Sequence, residues 1–422
     1  MDETENKSQI YIVGAGVSGL IAAINLEKHG YSPIILEASD RVGGRVKTDI
    51  VDGFQLDHGF QVLLDAYPKA KQYLDYDALE LQTLLPGALI FDKEGGHLFG
   101  DPLRNSSFLF PTLFSAQGSL SDKWKIFRLN SQLKSPKLEE LFTRKEETTL
   151  DYLKGKGFSD KVISNFFRPF FSGIYLEPDL KTSSRMFEYV YKLFGQGHAT
   201  IPKAGIGAIA EQLKAQLKRS EIRFNTPVAN VSNEKITLAN AEELSHDFTV
   251  IATEPGKIMK NYASSMTWKS CDNLYFVQKS RSFDQAIIGL NATENALVNN
   301  LFYPTSIDTA SKGDGELLSV TVVRHHGLDE ETLITQVKAE LKDRFNIGDV
   351  QFLKRYEINH ALPALNDLQY SRDEGENLLT EKIALAGDHQ LNGSLNAAMI
   401  SGEAAAIIAN RTLSGKNISF SG

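Results

Sequence analysis

Glycines at positions 14, 16 and 19 are spaced to bring a phosphate against bare backbone. Gly14 permits a sharp turn, Gly16 has no Cβ and lets a pyrophosphate approach the main chain, and Gly19 lets a helix pack close to the preceding strand. Ala15, Val17 and Ser18 complete the loop. Further on, Glu37, followed by Ala38, is an acid placed to accept hydrogen bonds from both hydroxyls of an adenosine ribose. A carboxylate there repels a 2′-phosphate, so the chemistry indicated is tight holding of a dinucleotide other than NADP.

These residues need a strand, a turn and a helix in fixed order. Ile10-Tyr11-Ile12-Val13 supplies a short buried strand. From Val17 to His29 the apolar residues Leu20, Ile21, Ile24 and Leu26 fall at mostly helical spacing, and Gly30 stands where a left-handed cap would stop the helix. Ile34-Ile35-Leu36 is a second buried strand that ends on Glu37. A glycine-rich turn alone is weak evidence, but in this setting it is a complete βαβ dinucleotide fingerprint.

A paired glycine and an arginine, Gly43-Gly44-Arg45, follow the second strand and form a second phosphate-approach loop, with Arg45 offering a planar charged fork. Asp57-His58-Gly59-Phe60-Gln61-Val62 comes after a short strand at 54–56. Near the C-terminus, Ile383-Ala384-Leu385-Ala386 reads as a buried strand ending at Gly387-Asp388, and Gly393-Ser394-Leu395-Asn396 opens a helix running to about Asn410. In this order the segments resemble the FAD-containing flavin amine oxidase superfamily, which includes protoporphyrinogen oxidases and phytoene-type desaturases.

That resemblance implies noncovalent FAD. Gly43, Gly44 and Arg45 are expected along its pyrophosphate, Gly59 and Phe60 along the flavin ring edge, and the backbone of Val228 at the adenine. Asp388 is expected at the ribityl hydroxyls. The helix start at Ser394, Leu395 and Asn396 is expected to aim its partial positive charge at the flavin N1/C2=O edge. The candidates for catalysis are His58, Gln61, Tyr356 and His360, each weighed against a structural role. Arg168 to Tyr175 resembles a stretch of the substrate-side domain of protoporphyrinogen oxidases.

The implied fold class is α/β: a discontinuous Rossmann-like FAD domain of glutathione-reductase type with an inserted α+β substrate domain. The FAD domain is expected at 1–66, 200–265 and 365–422, a helical insertion at 67–199 and an antiparallel sheet at 266–364. Helices are expected at 121–133, 149–156, 159–171, 183–194 and 330–345. Strands are expected at 222–224, 228–231, 248–253, 274–278, 286–290, 317–323 and 351–356.

The chain of 422 residues is long enough for more than one core. Its net charge of −8 gives nucleic acid no electrostatic support. A single cysteine, Cys271, excludes an intrachain disulfide and fits a reducing compartment. Scattered histidines show no metal-ligand spacing, so no metal is expected.

Met1 to Gln9 is polar and acidic, unlike an export signal, and no run reaches the ~18 apolar residues of a membrane span. The expected location is cytoplasmic, with peripheral membrane contact open. Phe108-Leu109-Phe110-Pro111-Thr112-Leu113-Phe114 is a candidate for an entry channel, a bilayer surface or simple packing. The expected activity is hydride transfer from a carbon of a lipophilic small molecule to flavin N5. The alternatives are oxidation of an amine C–N bond, and a flavin-binding isomerase or non-catalytic flavoprotein. The sequence leaves electron acceptor and oligomeric state open.

Overall fold

A computed structural model describes residues 8–100, 119–260, 262, 266–323, 325–373 and 375–415. The apolar segment at 108–114 lies outside the described residues.

The strand Ile10–Val13 is buried at every position. It pairs in parallel with Ile34–Leu36 on one side and Phe248–Ile251 on the other. Strands covered on both faces are written as unbroken apolar runs, which is why these short segments show no alternation. The full sheet is six-stranded, in the order Glu221–Arg223, Ile34–Leu36, Ile10–Val13, Phe248–Ile251, Ile383–Leu385, Leu378–Thr380. Strands from three remote parts of the chain thus interleave in one sheet.

The helix Val17–Lys28 and the closing helix Leu395–Leu413 cover the same face. Their backbones meet at Gly402, where a Cβ would fall 2.3 Å from the carbonyl oxygen of Ser18. Small residues along the closing helix, Ala397, Ala405, Ala406 and Ala409, are fully buried and permit that approach.

A second sheet of seven strands runs Gln351–Ala364, Thr267–Gln278, Glu316–Val322, Val298–Phe302, Ile288–Asn291, Gly87–Asp92, Gly95–Gly100. It is mixed rather than antiparallel, because Gly87–Asp92 pairs in parallel with Ile288–Asn291. That hairpin comes from the segment expected to be helical. Ala88 and Ile90 bury one face at period two, and the backbone N–H of Glu94 bonds the carboxylate of Asp92 at 2.8 Å, tightening the turn into Gly95.

Helix Glu330–Phe345 lays Leu333, Val337, Leu341 and Phe345 on this sheet, against Leu274, Phe276 and Val320 among others. Asp329 caps its first turn and Asn346, at φ 54°, ends it in the left-handed region.

Residues 120–196 build a helical wall over the cleft between the sheets. Its segments include Leu120–Lys134, Thr149–Gly155, Arg168–Tyr175 and Ser184–Gln196, and a π-turn at Ile163–Phe167 precedes Arg168. Among the described residues, no helix is long and apolar enough to cross a membrane, and no cluster of His, Cys, Asp and Glu has the makings of a metal site.

Candidate active site

A single cavity of about 1790 Å³ runs from the Gly14–Ser18 turn to the aromatic side of the helical wall. One ordinary small-molecule site occupies roughly 300–1,000 Å³, so this space suits a large ligand and a second molecule beside it.

The three glycines of the turn differ in what requires them. Gly14 has φ +104°, and a Cβ at Gly19 would fall 2.0 Å from the carbonyl oxygen of Gly14, so the fold itself excludes side chains at both. Gly16 has φ −71° and ψ 177°, open to any residue, and a Cβ there meets nothing within 4 Å. The protein does not need Gly16 to be glycine, and the space it leaves faces the cavity. Gly16 is also the N-cap of the first helix and offers no side-chain cap, so the first-turn N–H groups have no side chain on them there. Gly44 closes over the turn, its Cβ direction reaching the Cα of Gly16 at 3.4 Å, and the N–H of Gly43 bonds the carbonyl of Ala15 at 2.9 Å.

Glu37, the acid expected at the adenosine ribose, is bonded to the Gly14–Ser18 turn and to its own loop. Its Oε2 accepts the N–H of Ala15 at 2.7 Å, and its Oε1 accepts the N–H and hydroxyl of Ser39 at 2.9 and 2.7 Å. Three of about four lone-pair positions are thereby used, leaving capacity for a hydroxyl. Ala15, Gly19, Ala38 and Val228 lie outside the cavity lining. Ala38 is exposed, and Val228 pairs with Leu238 in a small three-stranded sheet.

The guanidinium of Arg45, the residue expected along the pyrophosphate, bonds the carboxylate of Asp388, the other expected coenzyme ligand. It also donates to the carbonyl of Ala361 at 3.2 Å and lies 5.2 Å from the Trp268 ring. Burial favours the neutral form of the Asp388 carboxyl, but the charge and hydrogen bond of Arg45 outweigh it and hold the group below the usual carboxylate range. Gly387, at φ +150°, packs directly on the His389 ring. Ser394 caps the closing helix through the N–H of Ala397 at 3.1 Å, and Leu395 lines the cavity. Asn396 is fully buried beyond the lining and accepts the N–H of Lys69 at 2.9 Å.

Beside the Gly59 turn, one carboxylate that the sequence gave no sign of holds two of the catalytic candidates. Asp49 Oδ2 shares a hydrogen bond with His58 Nε2 at 2.8 Å and accepts the Tyr356 hydroxyl at 2.8 Å, while Oδ1 meets Arg41 at 2.5 Å. The His58 and Tyr356 rings lie 4.3 Å apart. Gln61 is turned to the backbone, donating to the carbonyls of Arg45 at 3.0 Å and His58 at 2.9 Å, so it braces the loop. His360 is exposed, edge-on to Trp268 at 5.3 Å.

A family model described as flavin containing amine oxidoreductase matches residues 17–408. The chain belongs to that family. The chain thus falls among flavin-containing oxidoreductases, for which FAD is the implied cofactor. It is 24% identical over 309 residues to coproporphyrinogen III oxidase of Bacillus subtilis, covering 62% of this chain and 63% of that protein. It is 24% identical over 283 residues to 1-hydroxycarotenoid 3,4-desaturase of a Flavobacterium species, covering 57% and 55%. The chain therefore spans less than two thirds of either relative. Among solved structures, cyclohexylamine oxidase from Brevibacterium oxydans superposes with a TM-score of 0.69 at 17% identity, covering 96% of this chain and 99% of that one. An oxidoreductase from Methanosarcina mazei gives 0.71 at 15%, covering 93% and 98%.

The flavin amine oxidoreductase cavity fits this cofactor on its own evidence: the cleared space at Gly16 and the uncapped helix start face one end of a cleft that continues past Asp388 and Gly59. Beyond that point the walls turn apolar. Phe99 and Phe166 meet at 4.6 Å, Phe166 and Phe170 at 5.6 Å, and Phe170 and Phe194 at 5.4 Å. Asn300 and Thr321 add a polar patch from the sheet. Cys271 also faces this space; burial, aided by Asp272, pushes its thiol up to about 12, so it is no nucleophile at neutral pH.

Asp49 yields a pH prediction. Burial raises its carboxyl, but the donors Tyr356, Arg41 and His58 prevail and bring it from 3.8 to about 2. A carboxyl depressed in the folded state adds stability above its unfolded value, and loses it as pH falls from about 4 to about 2. Asp49→Asn is expected to cost about 2 kcal/mol at pH 7 and nearly nothing at pH 2. Urea midpoints at the two pH values check this, and an equal loss at both contradicts it.

Proposed function

We propose that the protein is an FAD-dependent dehydrogenase or desaturase that takes a hydride from a carbon of an apolar small molecule. The supporting observation is the continuity of the cavity, with space cleared at Gly16 for a pyrophosphate at one end and a wall of phenylalanines at the other. The domain reading stands with it: residues 1–66, 200–265 and 365–422 hold the coenzyme and the rest shape the substrate space.

Bound FAD supplies the hydride acceptor, its N5. Gly16, Gly44 and the first-helix N–H groups take the pyrophosphate, and Glu37 takes the adenosine ribose. The backbone of Val228 takes the adenine, with the flanking pairing of Glu37 and Thr226 fixing its strand. Asp388 holds the ribityl chain, with Arg45 keeping it ionised. Ser394 and Asn396 fix the start of the closing helix, so that its positive end at Leu395 would stabilise negative charge on the flavin ring. Gly59 and Phe60, which line the cavity, would hold the ring. His58 and Tyr356, clamped by Asp49, position that turn, and the phenylalanine wall excludes water. FAD is held without a covalent bond, so mild acid is expected to release it intact.

Two relatives are named for oxidising a porphyrinogen and desaturating a hydroxycarotenoid, which supports a reaction at carbon. Anaerobic mixing with coproporphyrinogen III, with a 1-hydroxycarotenoid and with cyclohexylamine tests the reading. The expected result is stoichiometric loss of the yellow absorbance with an apolar compound, giving a product two hydrogens poorer. Bleaching by the amine alone assigns the C–N reaction instead. A rearranged compound with unbleached flavin assigns an isomerase.

A further inference from the structure

Lys269 lies on the strand Thr267–Gln278, opposite Leu362 of the neighbouring strand, and lines the cavity. Leu362 faces the loop before the closing helix: a Cβ on Gly393 would fall 3.1 Å from its Cδ1. Lys269 therefore stands one strand away from that loop, where the coenzyme end of the cleft gives way to the apolar end.

Its Nζ donates to the hydroxyl of Thr182 at 3.0 Å, across the cavity wall. Among the described residues no carboxylate lies within ion-pairing distance of it. Glu177 is the acid whose charge reaches it, but Oε1 of Glu177 accepts the N–H of Thr182 at 3.0 Å and Oε2 accepts that of Asp179 at 2.8 Å, so both oxygens are tied to their own loop. Two other lysines of the lining have acids of their own: Lys181 pairs with Asp179 at 3.0 Å and Lys257 with Glu254 at 2.9 Å. An ammonium group carries three donors, and one neutral hydroxyl leaves the others to whatever enters the cavity. Burial disfavours the charged form of Lys269 while Glu177 favours it. A partly buried cation without a counter-ion is costly, and an arriving anion removes that cost.

We infer that Lys269 is the subsite for an anionic group, of carboxylate type, carried by an otherwise apolar substrate. This rests on reading the aromatic end of the cavity as the substrate site. The same cation disfavours an alkylammonium head group at that position.

The test uses the FAD-loaded protein and three probes below their micelle concentrations, read by calorimetry: decanoate, methyl decanoate and decylammonium. Wild type is expected to bind decanoate at least tenfold more tightly than the ester, and decylammonium least tightly. Lys269→Met is expected to bring decanoate and ester within twofold while leaving ester affinity and FAD content unchanged, and Lys269→Arg to retain the preference. A preference for decanoate that survives in Lys269→Met overturns the inference, as does tighter binding of decylammonium by wild type. FAD content is measured separately, so loss of the coenzyme reading is distinguishable from loss of the anion subsite.

Discussion

Gly16→Val is expected to give a folded but colourless protein. The backbone at Gly16 is extended, at φ −71° and ψ 177°, which valine adopts freely, and its Cβ would meet nothing within 4 Å. The polypeptide by itself has no reason to reject the substitution, and the thermal midpoint of the flavin-free protein should move by no more than about 2 °C. In the loaded protein the branched side chain enters the path assigned to the pyrophosphate, and FAD affinity should fall more than a hundredfold. The ratio of flavin absorbance to protein, measured with thermal melts of the stripped protein, reads both halves. A fully yellow variant would falsify the placement of the phosphates. Gly19→Val supplies the contrast: its Cβ falls 2.0 Å from the Gly14 carbonyl oxygen, so that variant should fail to fold at all.

Arg45→Met should damage stability and coenzyme binding together. The Asp388 side chain is 6% exposed and has Arg45 as its counter-ion. Removing the cation leaves the buried carboxylate uncompensated, and because the Arg45 side chain is itself 40% exposed and screened by water the cost is about 1–2 kcal/mol. Because Arg45 holds the Asp388 carboxyl below the usual range, that loss is complete at neutral pH and fades as pH falls below about 4, where the unfolded chain is protonated as well. Flavin retention should fall at least tenfold, since the carboxylate loses its orientation. The double variant Arg45→Met/Asp388→Asn, with no buried charge left, should recover most of the stability but none of the flavin. If the double variant unfolds as readily as Arg45→Met alone, the charge argument fails.

The parts of this fold legible in the sequence are those whose signal is local. The strand at Ile10–Val13, the glycine turn and the helix behind it lie in contiguous residues, and Glu330–Phe345 carries its own stripe, polar cap and stop. The hairpin Gly87–Gly100 is not legible because a short apolar run suits a helix or a strand equally, and its identity depends on Ile288–Asn291, which it meets some two hundred residues later. The candidate site divides in the same way. Gly14, Gly16 and Gly19 announce themselves by spacing. Asp49 does not, since its meaning comes from Tyr356, 307 positions away, and from the ring of His58. Lys269 looks like any lysine on a strand until Thr182 and the cavity are placed around it.

The sheet order sets a timetable for synthesis. Ile10–Val13 leaves the ribosome well before its neighbour Phe248–Ile251, and Ile383–Leu385 and the helix that seats against Ser18 come later still. Long-range pairing of this kind folds slowly, and the nascent chain holds an incomplete apolar sheet edge until Phe248–Ile251 and Ile383–Leu385 arrive. On the proposed site, FAD would meet its complete set of contacts only after Ile383–Leu385 and the helix Leu395–Leu413 have joined the sheet. Coenzyme supply should therefore govern how much finished protein survives rather than how fast the first strands assemble.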